Sequence, residues 1–199
     1  MFALLLAAVM ITPDVALQKL VEGNARSASD QLLHPNRTIE RREAVVAQQN
    51  PFAIIVGCSD SRVPPEIIFD QGLGDLFIVR VAGNVVGPVE LDSIEYAAKY
   101  LGSSLILVLG HQNCGAVTAV VKGQTAEIED VAKLIEPALE GKKDMPIDAA
   151  VKANVLHVVN YLKTLDSSSC VSYLAKEGKL KVVGGYYDLN SGKITLLSK

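Results

Sequence analysis

The 199-residue chain has no tryptophan, few aromatics (5%) and three cysteines, Cys58, Cys114 and Cys170. Three scattered cysteines cannot build a disulfide scaffold, and an odd count leaves at least one thiol free or on a metal. An excess of one charge is also missing. The 19 Lys+Arg against 22 Asp+Glu give a net charge of −3, so the chain carries no electrostatic footprint for nucleic acid. No run of about 18 apolar residues exists, and no membrane span is expected. What is present is a 49% hydrophobic composition, enough for an apolar core without disulfide staples, in a length that suits one ordinary domain. A small neutral or anionic ligand would therefore have to be captured by a local site.

No internal repeat or low-complexity tract appears, and the linker-like stretch Glu140–Asp148 is too short to divide domains. The chain reads as one domain, with residues 1–50 a helical N-terminal arm and residues 51–199 an α/β core. The apolar stretch Met1–Ile11 has the length of a signal-peptide core but lacks a basic flank and a small-x-small cleavage site. It reads either as a signal remnant or as a docking arm; a cytoplasmic location is favoured over a periplasmic or secreted one.

Thr12 as N-cap, Pro13 at the first helical position and Asp14 in the first turn open a helix expected to end near Gly23–Asn24. A second helix is expected over Ile39–Gln49. Beyond it, Phe52–Gly57, Leu76–Ala82, Leu105–Gly110 and Leu180–Gly184 are nearly continuous apolar runs of strand length, the pattern of strands buried on both faces. Helical patterns over Pro88–Leu101 and Ile147–Leu165 alternate with them. This rhythm predicts a mainly parallel, doubly wound α/β sheet flanked by helices. Tyr186–Leu189, the turn residues Asn190-Ser191-Gly192 and Lys193–Leu197 read as a hairpin that adds an antiparallel edge strand. Gln71–Gly74 and Val183–Gly185 lack the spacing of phosphate-cradling loops and read as turns.

In open α/β sheets the ligand site forms beyond the carboxyl ends of the strands, where strand order reverses. The first strand ends in Gly57-Cys58-Ser59-Asp60-Ser61-Arg62 and the third in Gly110-His111-Gln112-Asn113-Cys114-Gly115. If these strands are neighbours, Cys58, His111 and Cys114 converge. A lone Cys or His at a strand end is ordinarily a core residue, but two thiolates and an imidazole together supply three of zinc's four tetrahedral positions. The fourth is then left for water or substrate, as in catalytic rather than structural sites. Asp60 and Arg62 are placed to pair beside such a metal, with Arg62 holding the carboxylate ionised and oriented. His34 and His157 have no ligand company, Cys170 reads as a half-buried free thiol, and Lys142 and Lys143 as a solvated loop.

Cys-Ser-Asp-Ser-Arg (58–62) followed by Gly-His-x-x-Cys-Gly (110–115) resembles the signature of the β-class carbonic anhydrases. The resemblance extends through Asp75-Leu76-Phe77 and Arg80-Val81-Ala82-Gly83-Asn84 and spans most of the chain. It implies zinc-dependent interconversion of carbon dioxide and bicarbonate by an obligate homodimer whose N-terminal helices embrace the partner, often doubled to a homotetramer. It implies Cys58, His111 and Cys114 as zinc ligands, Asp60 and Arg62 as the dyad beside the nucleophile, and Gln49, Phe77, Ala82, Tyr96 and Val63 as the substrate pocket. The absence of tryptophan favours the open-site members over those that bind bicarbonate in a non-catalytic pocket and close the metal with the dyad Asp. Gly83 is one variant of its segment, and Met1–Ile11 has no family counterpart. Two thiolates beside an anionic Asp60 would make zinc a weaker acidifier of water than three imidazoles, so activity is expected to rise through alkaline pH. Two alternatives remain open at this stage: hydrolysis of carbonyl sulfide or carbon disulfide on the same scaffold, and a zinc-stabilised binding module without catalysis.

Overall fold

The computed structural model describes residues 11–139 and 145–198. Met1 to Met10 of the apolar N-terminal stretch, and Lys142 and Lys143 of the linker-like stretch, lie outside the described residues. Four parallel strands, β1 (Ala53–Gly57), β2 (Leu76–Arg80), β3 (Leu105–His111) and β4 (Lys181–Tyr187), and an antiparallel β5 (Ile194–Ser198) form one sheet in the order β2-β1-β3-β4-β5. β1 and β3 pair in parallel with Gly57 opposite Leu109, so the strand order reverses between them and the condition for Cys58, His111 and Cys114 to converge is met.

Both faces of the central strands are covered, which is why their sequences are apolar throughout. On one face Ile54, Val56, Ile106, Val108 and Val182 pack against α4 (Pro88–Tyr100), α7 (Ile147–Lys163) and α8 (Cys170–Lys176). On the other, Ala53, Ile55, Leu105, Leu107 and Val183 meet α1 (Pro13–Ala28) and Phe69, which follows the short α3 (Pro65–Ile68). Each fully buried Leu or Ile contributes roughly 1.5–3 kcal/mol by leaving water. α7 crosses β3 so closely that a Cβ on Gly110 would meet Val155 Cγ2 at 2.5 Å and Val151 Cγ1 at 2.8 Å. That contact explains the glycine one residue before His111. No helix among the described residues is long and apolar enough to cross a membrane.

Several expected boundaries shift. α1 is capped by Thr12 as expected, but it continues past Gly23–Asn24 to Ala28. Gly23 is an interior residue, since its Cβ would lie 1.9 Å from Phe69 O. The second helix, α2, spans Ile39–Ala44 and stops short of Gln49; it buries no residue, so no tertiary packing extends it. β2 ends at Arg80, and Ala82–Asn84 form a 3₁₀ turn kinked at Gly83, whose φ of +73° is left-handed rather than helical. Val183–Gly185 are no turn: they lie inside β4, which runs without a break from Lys181 to Tyr187 into the expected hairpin. α5 (Gly115–Val121) and α6 (Glu129–Leu139) complete the described elements, packing against α7 and the 3₁₀ turn.

Candidate metal centre

The reversal of strand order brings the ends of β1 and β3 side by side, and each end delivers ligand-type side chains. Cys58 leaves β1, His111 is the last residue of β3, and Cys114 is the N-cap of α5 after a tight turn in which Asn113 takes φ +55°. Thr118 ties the turn down: its N–H and Oγ1 both donate to Cys114 O, at 3.0 and 2.8 Å. All three side chains are buried, and their ligand atoms lie within 4.8 Å of one another. Among the described residues they are the group of three that could hold a metal ion.

The chemistry of these donors fits zinc. His111 Nδ1 lies 2.9 Å from Gln112 O, the contact of a ring N–H donating to a carbonyl, which leaves the Nε2 lone pair for a metal. Nε2 is buried and has no hydrogen-bond partner in the protein, so something else must satisfy it. Cys58 is held to a pKa of about 4, chiefly because the Cys114 thiol donates to its sulfur, with His111 and the Gly83 N–H adding to the effect against burial. Cys114 is correspondingly pushed up by donating to Cys58 and by burial. The pair thus holds one proton between two sulfurs, and a soft divalent cation is the natural replacement for it.

Asp60 and Arg62 stand together beside this cluster. Arg62 Nε donates to Asp60 Oδ1 at 2.9 Å and Nη2 to Oδ2 at 2.7 Å, while the Arg62 backbone N–H adds a bond to Oδ1 at 2.9 Å. The Arg62 guanidinium is the main reason the Asp60 carboxyl is held well below the usual carboxylate range. Asp60 Oδ2 lies 3.8 Å from His111 Nε2. The carboxylate is therefore ionised, clamped and turned toward the space the three donors share.

Val63 is buried in the same cluster as Cys58 and Cys114, and Ala82 adjoins Gly83, whose N–H donates to Cys58 Sγ at 3.3 Å. Gln49, Phe77 and Tyr96 gather elsewhere on the chain. Phe77 is opposite Ile54, three residues and about 10 Å of strand below the level of Gly57. The Tyr96 ring lies 6.4 Å from that of Phe77, and Tyr96 shares with Gln49 an open cleft of about 500 Å³ lined also by Val46, Tyr100 and Leu101. Cys58, His111 and Cys114 do not line this cleft.

Arg80 and Gln112 shape the centre without having been assigned a role from sequence. Arg80 Nε donates to Cys58 O at 2.8 Å and its Nη2 to Asp60 O at 2.6 Å, fixing the loop that carries both residues. Gln112 Oε1 accepts from Leu189 N–H and Asn190 Nδ2, both at 3.1 Å, locking the His111 turn to the β4–β5 hairpin. Arg80 lies in the family-like Arg80–Asn84 segment, a usable signal; Gln112 carried none beyond its place between two ligands. Cys170 is half-buried with Sγ 3.5 Å from Glu95 O, and His34 is exposed, both apart from this centre.

A family model described as carbonic anhydrase matches residues 53–194. Carbonic anhydrase 2 of Mycobacterium tuberculosis is 39% identical over 193 residues, covering 92% of each chain. The Coccomyxa β-carbonic anhydrase, solved in complex with acetazolamide, is similar in structure with a TM-score of 0.69 at 27% identity, over 92% of this chain and 86% of that one. A tetrameric β-carbonic anhydrase of Sordaria macrospora shares the fold, with a TM-score of 0.65 at 23% identity over 92% of this chain and 97% of that one. With a Cys-His-Cys cluster at the strand-order reversal of a mainly parallel sheet, and with these matches along most of its length, the chain belongs to the β-class carbonic anhydrases.

Proposed function

We propose that this protein is a zinc-dependent carbonic anhydrase, converting carbon dioxide and water to bicarbonate and a proton and back, and that it works as a homodimer or a dimer of dimers. The observation that carries the reading is the convergence of three buried soft donors with one ionised, clamped carboxylate at their side. Cys58 Sγ, His111 Nε2 and Cys114 Sγ would hold the metal. When bound, zinc acidifies water so that a hydroxide nucleophile is available near neutral pH.

The chain's own residues do the rest. Asp60 accepts the nucleophile's O–H, which fixes the direction of the attacking lone pair. Arg62 keeps that carboxylate from taking the proton itself or swinging onto the metal, because its fork occupies both oxygens. Val63 offers an apolar wall against which carbon dioxide can rest without competing for hydrogen bonds. A closed, purely structural site has no use for the Asp60–Arg62 pair, which argues against the non-catalytic alternative.

The remaining pocket residues favour a two-copy site. Gln49, Phe77 and Tyr96 form a half-exposed cluster beside β2, whose outer edge is unpaired in the sheet. Tyr96 is eight residues, about 12 Å of helix rise, beyond the start of α4. In one chain these groups are too far along their elements to reach the space between Cys58, His111 and Cys114. A second copy docked on this edge would supply them to its partner's metal, with Gln49 donating to a carboxyl oxygen of the substrate.

The test is stopped-flow hydration of carbon dioxide between about pH 6.5 and about pH 9, on metal-analysed protein with a chelator-stripped sample beside it. Turnover should climb with pH, vanish on stripping and return with zinc. Near-zero turnover with zinc fully bound would overturn the reading and direct attention to the sulfur-containing substrates.

A further inference from the structure

α7 turns Val151, Val155, Val158, Val159 and Leu162 inward as an apolar stripe, and Asn154 stands in that stripe. It is 0% exposed, where an amide is costly unless hydrogen-bonded. Asn154 Nδ2 donates to Gly83 O at 2.8 Å, 71 residues away in the chain. Gly83 in turn donates its N–H to Cys58 Sγ at 3.3 Å. The glycine is at φ +73°, a conformation L side chains rarely adopt, and a Cβ there would meet Ile135 Cδ1 at 2.8 Å. Gly83 is therefore gripped through its carbonyl by α7 while its N–H is offered to a ligand sulfur.

We propose that Asn154 is a positioning residue for the metal centre, acting through Gly83 to aim an N–H at the Cys58 thiolate. The proposal rests on the metal-centre reading and deepens it. A hydrogen bond donated to a thiolate draws off part of its charge and fixes the direction of its lone pairs, which tunes how strongly the sulfur donates to a metal. Gly83 is the one residue type with the backbone freedom to turn away if its carbonyl loses its partner. The Asn154 amide removes that freedom. Its place in the apolar stripe has no packing rationale, since a leucine would fill the same space without a polar group to satisfy.

The experiment uses cobalt(II)-substituted full-length protein. Asn154→Leu should shift the thiolate-to-cobalt charge-transfer band to longer wavelength, because charge returns to the sulfur, and should release metal to a chelator about tenfold faster or more, because the sulfur's direction is no longer held. An unchanged band with an unchanged release rate, even alongside a lowered melting temperature, would reduce Asn154 to a core residue and overturn the proposal. Asn154→Ser, which leaves a smaller side chain, is read by the same two measurements if the leucine variant does not fold. A third reading needs no variant: in cadmium-113-loaded wild type the Gly83 amide proton should show scalar coupling to the metal through Cys58 Sγ, and its absence with metal bound would equally overturn the proposal. A wild-type chain that takes up neither cobalt nor cadmium would sink the metal centre itself, and this inference with it.

Discussion

Asp60 illustrates how little a side chain needs to change to lose its role. Asp60→Asn keeps the shape and one acceptor oxygen but leaves the Arg62 fork without its counter-charge and turns a donor toward the nucleophile. Metal content should be unchanged while kcat falls about 100-fold, the scale of one lost electrostatic contact to a transition state; metal analysis beside stopped-flow rates checks both. The two thiols make a separate prediction about protons. Cys58, with its pKa lowered to about 4, is already a thiolate at neutral pH, whereas Cys114, raised by donating to it, still carries the proton. Metal uptake at pH 7 should therefore release about one proton from the pair, and more as pH falls through the Cys58 value. Calorimetric titration with cadmium, whose bound water keeps its protons at pH 7, in buffers of different ionisation enthalpy measures the number, and two protons at pH 7 would contradict this picture. At this scale the Cys58–His111–Cys114 cluster was legible from residue type and position alone, because few residues bind soft metals and strand ends are where sites form. Arg80 and Gln112 were not, because much of what they do is done to backbone groups, and a side chain that grips a main-chain carbonyl or N–H has no partner residue type to betray it.

α1 shows the same limit one level up. Gly23-Asn24 has the composition of a helix end, yet both residues sit inside the helix for tertiary reasons: Gly23 lets α1 touch Phe69 O, and Asn24 donates to Ile68 O and Gly192 O while accepting from Ile194 N–H. Gly23→Ala gains about 1 kcal/mol of helix propensity but drives a methyl into a backbone oxygen that cannot fold away as a side chain could. A net loss of about 2 kcal/mol is expected from that overpacking, read as a lower denaturation midpoint in urea; an unchanged midpoint would mean that the Phe69 segment yields. The parallel strands, by contrast, were legible because burial on both faces removes polar residues from a whole run. The short helices α3, α5 and α8, four to seven residues each, fall below the length at which a 3.6-residue period can be read.

For the whole molecule, the question is what covers the β2 edge. Tyr96, Tyr100 and Val46 are 48%, 68% and 81% exposed around one cleft, beside a strand with an unpaired row of backbone groups. A lone chain would carry that combination as an aggregation hazard, whereas a second copy would bury it and bring Gln49, Phe77 and Tyr96 to a partner's metal. Tyr100→Glu places a charge where this packing would be driest and touches no metal ligand. Sedimentation velocity should show dissociation toward monomer, with metal content kept and turnover reduced at least about tenfold, because each separated chain would retain Cys58, His111, Cys114 and its Asp60–Arg62 pair but would lose the groups proposed to come from the second copy. A variant that stays dimeric at full turnover would move the interface to another face. The α1–β5 groove lined by Val21, Ile194 and Leu196 would be next in line, and Gln49, Phe77 and Tyr96 would then have to serve some purpose other than the substrate pocket.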